Sequence, residues 1–250
     1  MSKVLRMVEF YKKIAQEHGL FDNYANKIIS DNAYMAKSLK HSGAIEGNTI
    51  TEIDTYNIIT NAIPIQMALQ KYREEEVYEI IGLKQAHQFM YQTLNQPLTM
   101  DFLLELHHLL YKPIEKLHMG IFAGEFRTYE VFTYRQDGTQ KFYLDPDFID
   151  DEVENMIEYY NNSSKSLENI CELKLEFIHI HPFGDGNGRI SRLLLNWALM
   201  SNGYPPIIIK VEDKRKYIDT MDIYKVGEEN KAFYEFIGEN LIEAYKDMLG

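Results

Sequence analysis

Two apolar stripes at helical spacing, separated by a segment that cannot itself be helical, constrain this chain more than any other feature. Ile170, Leu173, Phe177 and Ile180 recur every three or four residues and stop just before Pro182; beyond the break, Ile190, Leu193, Leu194, Trp197 and Ala198 take up the pattern again. Such spacing marks two helices with buried faces. The intervening His181-Pro182-Phe183-Gly184-Asp185-Gly186-Asn187-Gly188-Arg189 holds one proline and three glycines, so it must be the loop between them. The same periodicity recurs upstream. Tyr24, Ile28, Met35 and Leu39 predict a first long helix, and after a break near Pro64, Val77, Ile80, Ile81, Lys84 and His87 predict a second. Thr99 is placed to cap a third, carrying Phe102, Leu103, Leu106, Leu109 and Leu110.

Only one region reads as sheet. Residues 128–134 are rich in β-branched and aromatic types, Gln136-Asp137-Gly138-Thr139 contains an Asp-Gly turn signal, and residues 141–144 supply a return strand ahead of Pro146. A lone hairpin needs support from neighbouring helices, and its exposed edge can pair with an extended peptide of another protein. The polar run 161–166 reads as a short loop, not a domain linker, and no internal repeat is present. The expectation is a mainly α protein, a single domain over 1–250 with one β-hairpin.

Composition sets limits. With 45% hydrophobic residues among 250, a sizeable core is available, and a net charge of -12 argues against a general nucleic-acid or anionic-membrane surface. The one cysteine, Cys171, lies beside Ile170 and Leu173 and reads as a core residue, with no disulfide framework. Residues 1–10 lack a signal-peptide core and no run of about 18 apolar residues occurs, so a cytoplasmic protein is expected, export by a specialised apparatus aside.

The loop between the two stripes has the inventory for chemistry on a phosphate. A helix starting near Asn187 presents unpaired backbone N–H groups and the positive end of its dipole. Gly186 and Gly188 let the backbone take unusual dihedrals and approach a ligand closely, forming an anion nest. Arg189 and Arg192, at i and i+3, are spaced to hold successive phosphates. Asp185 beside such an anion suits Mg²⁺, which takes few carboxylates alongside phosphate oxygens and water. His181 is a titratable base, a role worth roughly 10²- to 10⁴-fold in rate. Other nucleotide and metal patterns fail on spacing. There is no G-x-x-x-x-G-K-[ST], Arg189 stands where G-x-G-x-x-G needs its last glycine, Asn196 stands where an EF-hand needs Glu, and His179 with His181 makes no H-E-x-x-H.

The run from His181 to Arg192 resembles the signature H-P-F-x-[DE]-G-N-G-R-x-x-R of the Fic domain, the AMP-transferring branch of the Fic/Doc (Fido) superfamily, at every fixed position. Gly124-Glu125-Phe126-Arg127 is similar to that family's entry to a target-binding flap, and Asn202-Gly203-Tyr204-Pro205-Pro206 with Tyr217 to the continuation of its core. The resemblance implies a Fic-type helical bundle, its core at 99–249 with a flap at 127–144 and an active-site loop at 181–189. It also implies transfer of AMP from ATP, with Mg²⁺, to a Ser, Thr or Tyr hydroxyl of a target protein. By position, His181 would be the general base, Asp185 the metal ligand and Asn187 an α-phosphate contact. Phe183 and Gly184 belong to the same loop, Gly186 and Gly188 would shape the anion hole, Arg189 and Arg192 would hold the β- and γ-phosphates, and Tyr217 would line the adenine pocket. The target would dock on the flap by main-chain pairing. The phosphorylating Doc branch has lysine at the position of Gly188, so the glycine points to AMP transfer.

Within the N-terminal helices, 1–60, Ser42-Gly43-Ala44-Ile45-Glu46-Gly47 resembles the [ST]-x-x-x-E-[GN] inhibitory motif of some Fic proteins. Ser42 and Glu46 fall at i and i+4 at a helix end, and Gly47 is placed as its C′ cap. The resemblance implies that Glu46 takes Arg192 away from the γ-phosphate. The same short pattern recurs at 164–169, in a polar stretch at the start of a helix. Three rival readings stay open: a hydrolase removing AMP from a modified protein, a transferase of another phosphate-linked group, and a non-catalytic module whose flap binds peptides. A homodimer is also compatible with the sequence.

Overall fold

The computed structural model describes residues 2–134, 138–225 and 228–249. Helices form where the sequence repeats at three and four, and they stop where a side chain can take over the backbone's hydrogen bonds. After α1 (Lys3–Glu17), the expected single helix from Tyr24 to Leu39 is two, α2 (Leu20–Ser30) and α3 (Asn32–Ile45). The break is Asp31. Its backbone is extended, and its carboxylate accepts from the N–H groups of Ala33 at 2.8 Å and Tyr34 at 3.2 Å, which restarts the helix in a new direction. Next come α4 (Glu52–Ile59), capped by Thr51, short α5 (Ile65–Leu69) after Pro64, and α6 (Glu74–Gln92). Thr99 caps α7 (Met100–Tyr111) as expected, accepting from Phe102 N–H at 3.1 Å. Helices α6 and α7 run backbone against backbone because Gly82 has no side chain: a Cβ there would collide with the Leu110 carbonyl.

Strands β1 (Phe132–Tyr134) and β2 (Gln140–Phe142) pair antiparallel, with Phe132 opposite Phe142 and Tyr134 opposite Gln140. They are shorter than the expected 128–134 and 141–144. The Arg127 guanidinium takes the carbonyls of Tyr129 at 2.8 Å and Leu144 at 2.5 Å, which a longer ladder would need. Gly138 of the expected turn is left-handed at φ +80°, while Gln136 and Asp137 lie outside the described residues.

Helix α8 (Ile149–Asn162) absorbs the start of the polar run read as a loop, and α9 (Leu167–Ile180) follows, capped by Ser166 at the N–H of Asn169. The second copy of the short Ser/Glu/Asn pattern is thus largely a capping arrangement. The last helices are α10 (Asn187–Ser201), α11 (Lys214–Asp222) and α12 (Lys231–Leu249), the last packed on α1. Helix α10 is buried around its whole circumference from Asn187 to Met200, enclosed by α9 and α6 with α3 and α7. Trp197 on it is 1% exposed, packs on Phe102 and donates to the Thr93 carbonyl at 3.0 Å. Truncating such a side chain costs about 3–5 kcal/mol. The first turn of α10 is therefore fixed by the core, and the loop before it inherits that rigidity. Cys171 is fully buried, as expected of a core thiol. Among the described residues no helix is long and apolar enough to cross a membrane.

Candidate active site

Helix α9 ends on His181, which takes the left-handed conformation at φ +54° and ψ +58° without being glycine. That backbone costs on the order of 1–2 kcal/mol, and its surroundings hold it there. The His181 N–H donates to the Phe177 carbonyl at 3.0 Å, its carbonyl accepts from Arg127 Nε at 2.8 Å, and the Arg127 N–H donates to the next carbonyl, that of Pro182, at 3.0 Å. The imidazole lies flat on Tyr143, centroids 3.8 Å apart and planes 19° from parallel. Its Nδ1 is 3.3 Å from the Ile178 carbonyl. A carbonyl only accepts, so this geometry assigns the proton to Nδ1 and leaves Nε2 with a free lone pair. Burial pushes the imidazole down to about 4, with the Ile178 carbonyl opposing and Arg127 and Lys141 assisting. His181 is therefore a neutral base at pH 7.

The loop is closed on itself. The Asn187 amide accepts from Phe183 N–H at 3.0 Å and donates to the Phe183 carbonyl at 2.8 Å, so its side chain shapes the turn and keeps a second amide N–H. Phe183 is buried and stacks on His107, centroids 3.9 Å apart. His107 Nδ1 accepts from Gly124 N–H at 2.9 Å, which makes Nε2 the donor to the Asp185 carbonyl at 3.2 Å. Burial lowers this imidazole to about 4 as well, so it stays a neutral bridge between flap entry and loop. Gly184 admits the Tyr129 hydroxyl where a Cβ would collide. Gly186 is left-handed at φ +82° and starts α10, whereas Gly188 is regular helix, needed for the space beside it.

That space holds an anion. The Glu46 carboxylate lies where a Cβ on Gly188 would be, against the first turn of α10, whose leading N–H groups have no partner within the helix. Arg192 Nη2 meets Glu46 Oε1 at 2.8 Å and the Ser42 carbonyl at 2.9 Å, and Arg192 Nε donates to Ser42 Oγ at 3.0 Å. Burial raises the Glu46 carboxyl, but the Arg192 and Arg189 guanidinium groups together outweigh it and hold the group below its ordinary value. The end of α3 is fixed by the cap read from sequence. Gly47 is left-handed at φ +103°, its N–H donates to the Ala44 carbonyl at 3.1 Å, and the N–H of Asn48 donates to that of Gly43 at 3.0 Å.

The two arginines, expected to hold successive phosphates, diverge in the structure. Arg189 points back between two carboxylates, Nη1 to Glu79 Oε1 at 2.6 Å and Nη2 to Asp185 Oδ2 at 2.8 Å. Burial works against its charge, and Asp185 and Glu79 more than offset that. For Asp185, burial is likewise opposed by Arg189 and by the Gly186 N–H, which together leave the carboxyl below its ordinary value. Glu79 Oε2 in turn accepts from Asn48 Nδ2 at 2.6 Å, tying the residue after the Gly47 cap to the loop. Tyr217 is 2% exposed, packed among Lys174, Phe233 and Phe236, so it is part of the floor beside Arg192 and not an open pocket wall. Sequence reasoning missed Tyr143, His107, Asn48 and Glu79. Only Glu79 left a trace, as an acidic residue beside an apolar stripe.

Asp185 keeps 43% of its side chain exposed and gives only Oδ2 to Arg189. Among the described residues no group of three or more His, Cys, Asp or Glu is arranged around a metal. A hard divalent ion held by one carboxylate, with phosphate oxygens and water for its other ligands, fits this donor set.

Known proteins resemble the chain closely. A family model described as Fic/DOC family matches residues 97–199. A protein adenylyltransferase Fic from Aedes aegypti is 31% identical over 227 residues, 87% of this chain and 42% of that protein. One from Nematostella vectensis is 30% identical over 82% of this chain and 47% of its own length. The chain thus spans less than half the length of these curated relatives. Among solved structures, a Fic-1 fragment from C. elegans superposes with a TM-score of 0.78 at 24% identity, covering 99% of this chain and 71% of that one. A Fic domain containing signaling protein from Bacteroides thetaiotaomicron gives 0.74 at 22%, covering 99% and 96%.

Proposed function

The chain carries a domain of the Fic/DOC family, and from that premise we propose that it is a protein adenylyltransferase, moving AMP from ATP to a hydroxyl of a target protein. The observation that supports this most is the seat already filled by an anion: the Glu46 carboxylate rests beside Arg192 against Gly188 in the first turn of α10, three residues after Asp185 and seven after the neutral base His181. An ATP phosphate has the charge for the same seat once Glu46 leaves it. Arg192 then meets the γ-phosphate and the N–H groups of Gly188 and its neighbours meet the phosphates behind it. Arg189 acts chiefly by holding Asp185, and reaches a phosphate only if it gives up one of its carboxylates. Tyr217 supports the adenine side from below. A Mg²⁺ ion bound at Asp185 would neutralise charge on the phosphates as pyrophosphate leaves.

The acceptor side belongs to the flap, 127–144, where an extended target segment adds to the hairpin edge. His181 Nε2 takes the hydroxyl proton as the oxygen bonds to the α-phosphorus and the bond to the bridging oxygen of pyrophosphate breaks; Nδ1–H stays on the Ile178 carbonyl throughout. With Glu46 in place the donor seat is blocked, so the protein is restrained in cis. Gly188 supports AMP transfer over phosphorylation, which goes with lysine at this position in the Doc branch, and its lack of a side chain leaves room for Glu46 beside Arg192. The reverse reaction, hydrolysis of AMP from a modified protein, draws support from the same carboxylate, which is placed to orient a water.

The test is labelling with ATP carrying ³²P at the α-phosphate. Glu46→Gly protein should pass label to itself or to proteins of a cell extract, and adding His181→Ala should abolish it. Undiminished transfer by the double variant refutes the mechanism, and release of AMP from pre-labelled protein by the wild type favours the hydrolase.

A further inference from the structure

The flap carries more than an edge for pairing. Its strand residues alternate: Phe132, Tyr134 and Phe142 are exposed on the outer face, while Thr133, Lys141 and Tyr143 belong to the inner one. Each inner residue is tied. Thr133 Oγ1 is 3.1 Å from the Tyr143 hydroxyl, Lys141 Nζ reaches Asp222 on α11 at 2.9 Å, and the Tyr143 N–H donates to the Val131 carbonyl at 3.3 Å. The result is a tyrosine ring held flat against one face of the base, 3.8 Å from it, while the Ile178 carbonyl fixes the imidazole at Nδ1. One hydrogen bond leaves a ring free to rock about it. The Tyr143 face removes that freedom and takes water off the imidazole.

We propose that Tyr143 is the positioning residue for the general base: by stacking on His181 it sets the imidazole plane, keeps the base dry, and couples target docking on the flap to proton abstraction. This rests on the assignment of His181 as base. The hairpin that receives the target is the same hairpin that aims the nitrogen receiving its proton. A target segment that straightens the flap also presses Tyr143 onto His181, and a loose flap leaves the base misaligned. Near-attack geometry is sensitive to such errors, and displacement by about 1 Å can cost 10²-fold in rate. The charged groups around the imidazole are Arg127 from the flap base, Asp185 from the loop and Lys141 from β2, whose Nζ lies 5.7 Å from the centre of the Tyr143 ring and is held by Asp222.

The experiment is NMR titration of His181 in the resting protein, with AMP transfer measured in the Glu46→Gly background. Tyr143→Ala should move the His181 titration from about 4 up by at least one unit toward its ordinary 6.5 and lower kcat about tenfold or more, with KM for ATP unchanged. Tyr143→Phe, which keeps the ring, should restore both. Phe142→Ala, which breaks the outer-face Phe132–Phe142 pair of the hairpin and changes no charge, should move the titration far less. An unmoved titration in Tyr143→Ala overturns the proposal, and so does an equal shift in Phe142→Ala, which would make flap folding the cause. If Tyr143→Ala fails to fold, the wild type decides: the His181 ring protons should lie upfield in the Tyr143 ring current, and their absence there overturns the stack. Loss of the base assignment is seen separately, as AMP transfer that survives His181→Ala.

Discussion

Replacing Glu79 by alanine removes a charge far from the signature loop in sequence, yet it should be the most damaging single change outside that loop. Glu79 is 6% exposed on α6, and its two oxygens receive Arg189 and Asn48, each at 2.6 Å. Deleting one member of a buried pair leaves the other charge uncompensated, which costs about 3–5 kcal/mol. Asp185 still holds Arg189 at 2.8 Å, and the Asn48 amide still reaches the Glu76 carbonyl at 3.0 Å, so the loss belongs at the lower end of that range, about 3 kcal/mol. For a chain of this size each kcal/mol moves the melting temperature by roughly 2–4 °C, giving a fall of about 6–12 °C. A double-mutant cycle sharpens the test. Changing Glu79 to leucine and Arg189 to methionine together removes both buried charges at similar volume and leaves unpaired only Asp185, whose side chain is 43% exposed, so the two changes together should cost less than Glu79→Ala alone. Thermal and urea melts of both variants should thus show Glu79→Ala far less stable than the double variant, whereas AMP transfer should fail in the double variant for want of Arg189. A Glu79→Ala protein melting within about 2 °C of wild type would falsify the argument, as would a double variant whose loss equals the sum of those of Glu79→Leu and Arg189→Met.

Two further outcomes follow from other contacts. Glu46→Gly removes the anion from its seat, and a competing contact of this kind typically represents 1–3 kcal/mol of coupling, so AMP transfer and ATP affinity should rise roughly 5- to 150-fold in labelling and calorimetry; unchanged rates would detach Glu46 from control. Asp54 is held down to about 2 by hydrogen bonds from Lys71 and then Tyr72, below an unfolded value near 3.8, so its contribution is present above pH 4 and lost as pH falls toward 2. The stability gap between wild type and Asp54→Asn should therefore be constant above about pH 5 and close by pH 2 in urea melts, and a gap that does not narrow there assigns the contact no pH dependence.

The parts of the site that were legible in the sequence are those whose chemistry is contiguous. A proline and alternating glycines between two apolar stripes can only be a loop entering a helix, and Glu46-Gly47 after a periodic segment can only be a helix end, so both appear in the structure where the residues put them. Contacts across long separations left little trace. Arg189 meets Glu79 across 110 positions, and nothing in the spacing of Arg189 and Arg192 reveals that one turns inward to a carboxylate on α6 while the other turns to α3. The missed helix break had a similar cause. A single capping aspartate, Asp31, interrupts the backbone without disturbing the apolar period on which the reading depended. The strands came out short because one guanidinium, on Arg127, competes for the carbonyls of the ladder.

The arrangement of contacts on Arg192 bears on how the proposed restraint would be lifted. Glu46 supplies one of three, and Ser42 supplies the other two through its hydroxyl and its carbonyl, both from the last turns of α3. If α3 had to withdraw to free the arginine, it would have to break the Gly47 cap, the Asn48 bond to Glu79 and the bonds from Thr49 to Glu76, each contributing about 0.5–3 kcal/mol. A rotamer change of Glu46 breaks one partly exposed ion pair, leaves Ser42 orienting the guanidinium, and empties the seat over Gly188. The smaller motion is sufficient and costs less, so in the proposed restraint the moving part is the Glu46 side chain, with α3 as its fixed mount.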